Sequence, residues 1–381
     1  MKHATTRVSV PISVPTPVLT IGIDVGDRRS HACVVDGSRT VLEEFSFETN
    51  EVGLCEKLRR EPCQIILEVG PHSRWMQKSL QRLGHTVRVV DARKIQLISR
   101  SNNKTDRRDA RTLAQLGAGV PELLGDIKHR SDAAQADLAL LLTRDHFVGQ
   151  RTATINRMRG VLKSVGVKVP RMSTKVFHGR VGELVPEALR PALLPLLAEL
   201  SWLHQQLRSL DKEIDKMAER YPAVAKLKQV SGVGNLTALA FVLSLDDPSR
   251  FKKSRDVGPF VGLTPRKHAS GEKDPQLSIT RSGNPYLRRI LVQAAHYILG
   301  PFGPECLLRR QGLRIVERGG KHAKKRAAVA VARKLAVLLH RLWVSDAPYE
   351  PWYRTEAPPV ELEPKARRSK KKPHRSPVVS T

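Results

Sequence analysis

Every strand-like run in this 381-residue chain falls before Asp91, and that confinement limits the fold more than any other feature. Leu19-Thr-Ile-Gly-Ile-Asp24-Val-Gly26 is a β-branched run stopped by glycine and charge, and Ser30 to Val35 and Val41 to Phe47 follow after short polar breaks. Such spacing predicts three antiparallel strands joined by tight turns. A helical stretch near Glu51 to Arg60 leads to a fourth strand, Gln64-Ile-Ile-Leu-Glu68-Val, then a helix from about His72 to Leu83 and a fifth strand, Thr86 to Val90. Strands that come first as a meander and then alternate with helices predict one mixed sheet with helices on its faces.

Beyond Asp91 the periodicity is helical, over Asp106 to Leu116 and then over Ala133 to Ser164, where Leu138, Leu141, Leu142, Ile155, Met158 and Leu162 recur among charged residues. Leu196, Leu200, Leu203, Leu207, Leu210, Ile214 and Met217 repeat at alternating steps of four and three. This is an a/d seam, and it predicts coiled-coil pairing with another helix or another chain. Leu227-Lys-Gln-Val-Ser-Gly232-Val-Gly234-Asn-Leu-Thr-Ala238 sets two glycines between apolar helical stretches. It reads either as a helix-hairpin-helix, whose backbone amides approach a phosphate, or as an ordinary glycine turn. A basic, loop-like stretch from Val261 to Gly283 precedes two periodic helices, Pro285 to Leu299 and His322 to Leu342. The expected fold class is α/β plus α. Its parts are a flexible extension over 1–18, a sheet domain over 19–125, a helical coiled-coil region over 126–221, a mostly helical C-terminal domain over 222–346 and a disordered basic tail over 347–381.

Charge narrows the function. Against 37 Asp and Glu stand 66 Lys and Arg, a net of +29, too basic for an ordinary metabolic enzyme and suited to a polyanionic partner. The tail is not the cause: Arg354 to Thr381 carries eight Lys and Arg and three Glu, leaving +24 in the body. No apolar run approaches the ~20 residues that span a bilayer, and Val8 to Thr20 lacks a signal-peptide core, so no membrane partner is expected. The four cysteines (Cys33, Cys55, Cys63, Cys306) form no C-x-x-C pair and have no histidine at zinc-ligand spacing; they read as buried or free thiols of a reducing compartment, the cytoplasm. Aromatic residues make up only 4%, which favours contacts to a nucleic-acid backbone over base stacking.

In so basic a chain, acids at the ends of structural elements are informative. Asp24 closes the first strand, Glu68 the fourth, and Asp106 and Asp109 lie three apart on one face of a helix start. Each has an ordinary explanation: Asp24 as a turn former, Glu68 as a strand-end surface charge, Asp106 as an N-cap with Asp109 favouring the helix dipole. Together they form an oxygen-only set suited to Mg²⁺ or Mn²⁺, the ions that support in-line phosphoryl displacement.

Ile23-Asp24-Val-Gly, Leu67-Glu68-Val-Gly-Pro and Lys104-Thr-Asp106-Arg-Arg-Asp109-Ala-Arg resemble the DEDD motifs of bacterial insertion-sequence transposases, a family that includes the Piv-type DNA invertases. The resemblance implies a ribonuclease H-like N-terminal domain similar to the RuvC Holliday-junction resolvase, with Asp24, Glu68, Asp106 and Asp109 as catalytic metal ligands. Phe260-Val-Gly262-Leu-Thr-Pro265-Arg-Lys-His-Ala-Ser270-Gly271 and Ile279-Thr-Arg-Ser-Gly283-Asn284-Pro-Tyr-Leu287-Arg288-Arg are similar to the C-terminal transposase domain of the same family. The likeness runs from about residue 19 to 345. It implies that Ser270 is a nucleophile forming a covalent link to DNA, with Ser278 and Ser282 as the other candidates. Read by itself, a Ser-Gly pair in a polar loop is usually a turn.

Around Ser270, Arg266, Lys267 and Lys273 are groups able to hold a phosphate; Arg281, Arg288, Arg289, Lys324, Lys325 and Arg326 read as further phosphate contacts or as solvated faces. The family also resembles RNA-guided recombinases, which implies a noncoding guide RNA beside the element-end and target DNA, and a homo-oligomer, dimer or tetramer. The expected function is a DNA transposase or site-specific recombinase. The alternatives are a metal-dependent structure-specific nuclease without a serine step, and a catalytically silent nucleic-acid-binding protein.

Overall fold

A computed structural model of the chain describes residues 19–91, 105–268, 270, 275, 277–345 and 347–352. The expected N-terminal extension, nearly all of the basic tail and Lys273 lie outside the described residues. The chain divides into two compact units, Met1–His129 and Arg130–Thr381.

In the first unit β1 (Thr20–Asp24), β2 (Arg29–Val35), β3 (Val41–Glu48), β4 (Gln64–Glu68) and β5 (Thr86–Val90) form one sheet in the order β3-β2-β1-β4-β5. The first three strands are antiparallel neighbours. β4 returns parallel to β1, and β5 parallel to β4. Each return follows a helix, α1 (Glu51–Leu58) or α2 (Ser73–Arg82), because a parallel neighbour needs a crossover. Alternation along the strands sets the layers. Ile21, Ile23, Ile65, Leu67, Val87 and Val89 bury against Leu54, Leu58, Met76 and Leu80 of those two helices. Cys33, Val35, Ile66 and Val90 face α3 (Asp106–Gly119), which contributes Ala110, Leu113 and Ala114.

Small residues let α3 lie against the sheet. A Cβ on Gly22 would stand 2.2 Å from the Ala110 carbonyl oxygen, and one on Gly117 would stand 2.3 Å from Ile66 Cγ1. Gly22 meets Ala110 while Thr20 meets Gly117, so α3 runs antiparallel to β1 and its first turn lies over the strand's C-terminal end. Strand order and directions fit the ribonuclease H-like class.

The second unit is helical. α4 (Asp132–Ser164) and α6 (Arg190–Glu219), separated in sequence by the short α5 (Thr174–Arg180), pack along each other. Leu138 and Leu141 share a cluster with Ile214 and Met217, whereas Ile155, Met158 and Leu162 meet Leu193 and Leu200; the pair is therefore antiparallel. Heptad residues Leu200, Leu203, Leu207, Ile214 and Met217 are all buried within this chain. The helix that α6 packs along is α4.

The glycine segment joins α7 (Pro222–Leu227) to α8 (Asn235–Leu245), turning at Gly232 with φ of 86°. All eight residues from Ala238 to Leu245 are buried, which makes α8 the central rod of the unit. Around it pack α4, α6, α7 and α10 (Pro285–Leu299), the last covered in turn by α11 (Leu307–Glu317) and α12 (Ala323–Val344). A one-turn helix, α9 (Val257–Phe260), lies on α12. Among the described residues, no helix is long and apolar enough to cross a membrane. The four cysteines are free.

Candidate active site

Strand register brings two acids side by side. Ile23 pairs with Leu67 in the parallel ladder, so Asp24 and Glu68, one residue on, leave neighbouring strands together. Asp24 follows Gly22 by two residues and Glu68 follows Ile66 by two, which turns both toward the α3 face. Thr105 caps α3, its hydroxyl accepting from Arg108 N at 3.3 Å. Asp106 is thus the first residue inside the helix and not its N-cap. Asp109 lies one turn further along α3, half-buried.

His31 joins the cluster although no motif in the sequence marks it. Register sets it opposite Asp24 on β2, and its Nε2 is 3.9 Å from Asp106 Oδ2. The short β1–β2 turn was the signal that could have found it, because an antiparallel hairpin fixes which residues face each other.

Two carboxylates on this sheet face have opposite electrostatics. Glu44 of β3, almost fully covered, is gripped by Arg107 at 2.5 Å and Arg111 at 2.7 Å. Burial pushes its carboxyl up, but the guanidiniums of Arg111 and Arg107 outweigh that and hold it below the usual carboxylate range. Among the described residues, Asp24 has no such partner. Burial, a hydrogen bond with Glu68 and the charges of Glu68 and Asp106 push it up to about 7, against a smaller opposing pull from His31. Glu44 is a fastening for α3. Asp24 belongs to a cluster with more negative charge than its surroundings balance, the usual mark of a functional site. Asp27 stays apart, 3.4 Å from His72.

Hard oxygen donors with one carboxyl pushed toward protonation fit a divalent cation, whose charge would reverse that shift. Among the described residues, no three His, Cys, Asp or Glu side chains gather closely enough to hold one ion. Asp106 is 70% exposed and faces His31.

The C-terminal motifs build a two-stranded arm. Arg266 N donates to Ser278 O at 2.9 Å, Thr280 N donates to Thr264 O at 2.8 Å, and Pro265 pairs with Ile279. Gly262 and Gly283, at φ of 71° and 74°, close its base. A Cβ on the first would be 2.1 Å from Ser282 O and on the second 1.9 Å from Phe260 O, so only glycine fits either place. Asn284 caps α10, accepting from Tyr286 N at 2.9 Å and Leu287 N at 3.2 Å. Arg288 Nη1 donates to Val261 O and Ser282 O, both at 2.8 Å. Most motif residues therefore hold the arm in place.

Ser270 lies between the paired segments and is exposed, as are Arg266, Lys267 and Arg281. Ser278 is exposed too, and the Ser282 hydroxyl is 3.1 Å from that of Thr280. Arg288 is half-buried on its two carbonyls, and Arg289 ion-pairs with Asp145 while lying 5.5 Å over the Tyr286 ring.

Two family models match the chain. A DEDD transposase model of the IS110 type, described as transposase, matches residues 21–167, and the model of the transposase IS116/IS110/IS902 family matches residues 224–305. The transposase for insertion sequence element IS1111A of Coxiella burnetii is 29% identical over 86% of this chain and 90% of its own length. That for IS1328 of Yersinia enterocolitica is 28% identical over 73% and 83%. The pilin gene-inverting protein of Moraxella bovis is 24% identical over 87% and 97%.

Proposed function

Because the chain belongs to the IS116/IS110/IS902 family of transposases, enzymes that cut and rejoin DNA, we propose that Asp24, Glu68, Asp106 and Asp109 hold its catalytic divalent metal and that Ser270 is its nucleophile. The observation that carries the first half is the raised Asp24 carboxyl beside Glu68 and Asp106. Divalent-metal dependence is general among DEDD transposases; Mg²⁺ or Mn²⁺ is the ion this oxygen set suits. When bound, such an ion would supply charge stabilisation at phosphorus during displacement.

Ser270 supplies the means of rejoining. Its Oγ bonds to phosphorus, its proton passes to a solvent base, and the bond from phosphorus to the departing deoxyribose oxygen breaks, that oxygen taking up a proton. One phosphoester replaces another, so the energy of the broken link is retained in the protein–DNA bond and the reverse step can seal a different strand. Exposure of Ser270 on an arm whose base is fixed by glycine, Asn284 and Arg288 supports this reading, because a rigid support holds a nucleophile at one position while leaving it accessible. Arg266, Lys267 and Arg281 are the phosphate contacts of the reading, and Lys273 joins them by its place in the sequence.

Exchange between two duplexes breaks more strands than one Ser270 can hold, so the reading includes a dimer or tetramer. Since the a/d seam of α6 is covered by α4, other surfaces must supply the assembly. The resemblance to RNA-guided recombinases adds a noncoding guide RNA to the reading, and the net +24 of the body is compatible with holding it together with element-end and target DNA.

The test incubates the purified chain with Mg²⁺, element-end DNA and the RNA that copurifies with it, and looks for a protein–DNA adduct that survives denaturation. The adduct forms with wild type and is lost in Ser270→Ala, which still binds DNA. Strand cutting that persists in Ser270→Ala without an adduct would replace this reading with the nuclease.

A further inference from the structure

The second unit contains an open cavity of about 1150 Å³ beside the arm. Lys321, Lys325, Arg333, Lys334 and Arg341, on or just before α12, line it together with Arg255. Among the described residues of its lining there is no Asp or Glu. Val329 and Val337 of α12, with Leu277 and Ile279 of the arm, give it an apolar floor.

Charge and apolar surface constrain the occupant together. From Lys325 to Arg341 α12 rises about 24 Å, so the cations are strung along a length and not focused on one point, as a single small anion would require. A membrane surface would need apolar residues that dominate the face, and here they share a concave lining with six or more cations. A DNA duplex presents phosphates but keeps its base faces stacked inside, which would leave the floor unused. An unpaired strand offers both parts: phosphates at regular intervals for the cations and base faces for the aliphatic floor.

We propose that this cavity holds an unpaired DNA strand, with phosphates along α12 and bases on Val329, Val337, Leu277 and Ile279. The choice of DNA over RNA rests on the proposed role of Ser270: Pro265, Ile279 and Arg281 of the same arm line the cavity, and a strand bonded to Ser270 continues into it. Among the described residues, neither Lys325 nor Arg333 makes a hydrogen bond to the arm, so substituting these two leaves the arm in place.

Fluorescence anisotropy with the full chain tests the site. The probes are a labelled DNA single strand, its duplex, the RNA of the same sequence, and the same DNA with its central bases removed. Wild type binds the DNA single strand more tightly than the duplex or the RNA, and loses affinity when bases are removed. Lys325→Gln combined with Arg333→Gln weakens single-strand binding about 10- to 30-fold and reduces the slope of log K against log salt by about 1.4. Arg314→Gln combined with Arg318→Gln, which removes as much charge off the cavity, changes affinity less than about 3-fold. Equal losses in the two pairs, a preference for duplex or RNA, or indifference to missing bases overturns the proposal. Ser270→Ala leaves all these affinities unchanged. An adduct that persists in Ser270→Ala would sink the nucleophile reading without touching the binding result, so the two failures are distinguishable.

Discussion

Replacing Asp24 by Asn separates the stability of the acid cluster from its chemistry. In the unfolded chain the Asp24 carboxyl has its ordinary value of 3.8; in the folded protein burial, Glu68 and Asp106 push it up to about 7. The folded state therefore keeps a proton that the unfolded state has given up, and stability falls as pH rises from about 4 to about 7. At about 1.36 kcal/mol per pH unit the shift has a ceiling of about 4 kcal/mol, and solvent screening at a half-buried carboxyl reduces it to roughly 2 kcal/mol. Asn keeps the shape and removes the charge. In EDTA at about pH 7.5 the first unit of Asp24→Asn should be the more stable by that amount, and at about pH 4 equal to wild type. Hydrogen exchange of peptides from β1 and α3 reads this as roughly 30-fold greater protection. The variant is inactive in strand cleavage, and a divalent cation narrows the gap by stabilising wild type alone. A variant no better protected than wild type at the higher pH, or a gain of equal size at both, refutes the argument that unbalanced negative charge defines this site.

Two further changes test how the sites are supported. Gly22→Ala puts a Cβ 2.2 Å from the Ala110 carbonyl oxygen, so α3 must lift; overpacking of this kind costs about 1–3 kcal/mol, and cleavage falls as Asp106 moves away from Asp24. Wild-type urea midpoint and activity would mean that close packing of α3 on β1 does not set the cluster. Arg288→Ala removes the two bonds that tie Val261 O to Ser282 O, each worth about 1.5–3 kcal/mol for a charged donor, and speeds protease cleavage between Arg266 and Ser278. The salt slope of DNA binding stays at its wild-type value; a fall of about 0.7–0.9 would assign Arg288 to a phosphate instead.

The sheet was legible because its signals are local. β-Branched runs broken by glycine and charge predict the first three strands within about two residues at each end, and the order of strands and helices predicts one mixed sheet. That Asp24 and Glu68 leave adjacent strands follows from the parallel pairing of β4 with β1, in keeping with the ribonuclease H-like resemblance. What stayed hidden depends on contacts across elements. His31 needs the hairpin register, Glu44 needs the approach of Arg107 and Arg111 from a helix 63 and 67 residues away, and the groove beside the arm needs α12 folded against a loop that precedes it. The a/d seam shows the limit of periodicity: it states that one face of α6 is buried but not by what, and α4 of the same chain supplies the cover.

The arm shows why motif residues and reacting residues must be separated by experiment. Gly262, Gly283, Asn284, Leu287 and Arg288 stand out in the sequence as strongly as Ser270, yet each has a supporting role inside the fold. Gly262 and Gly283 make left-handed turns in contact with backbone oxygens, Asn284 caps a helix, Leu287 is buried, and Arg288 bonds two carbonyls. Ser270 shows no such side-chain contact among the described residues, and it is exposed on the structure that the others hold up. Changes at the supporting residues should therefore lower activity through arm order and be accompanied by faster proteolysis or lower stability. A change at Ser270 should remove the covalent step in a protein that is otherwise as stable and as protected as wild type. Loss of the adduct together with loss of arm protection in Ser270→Ala would place this serine among the supports and send the search for the nucleophile to Ser278 and Ser282, both exposed.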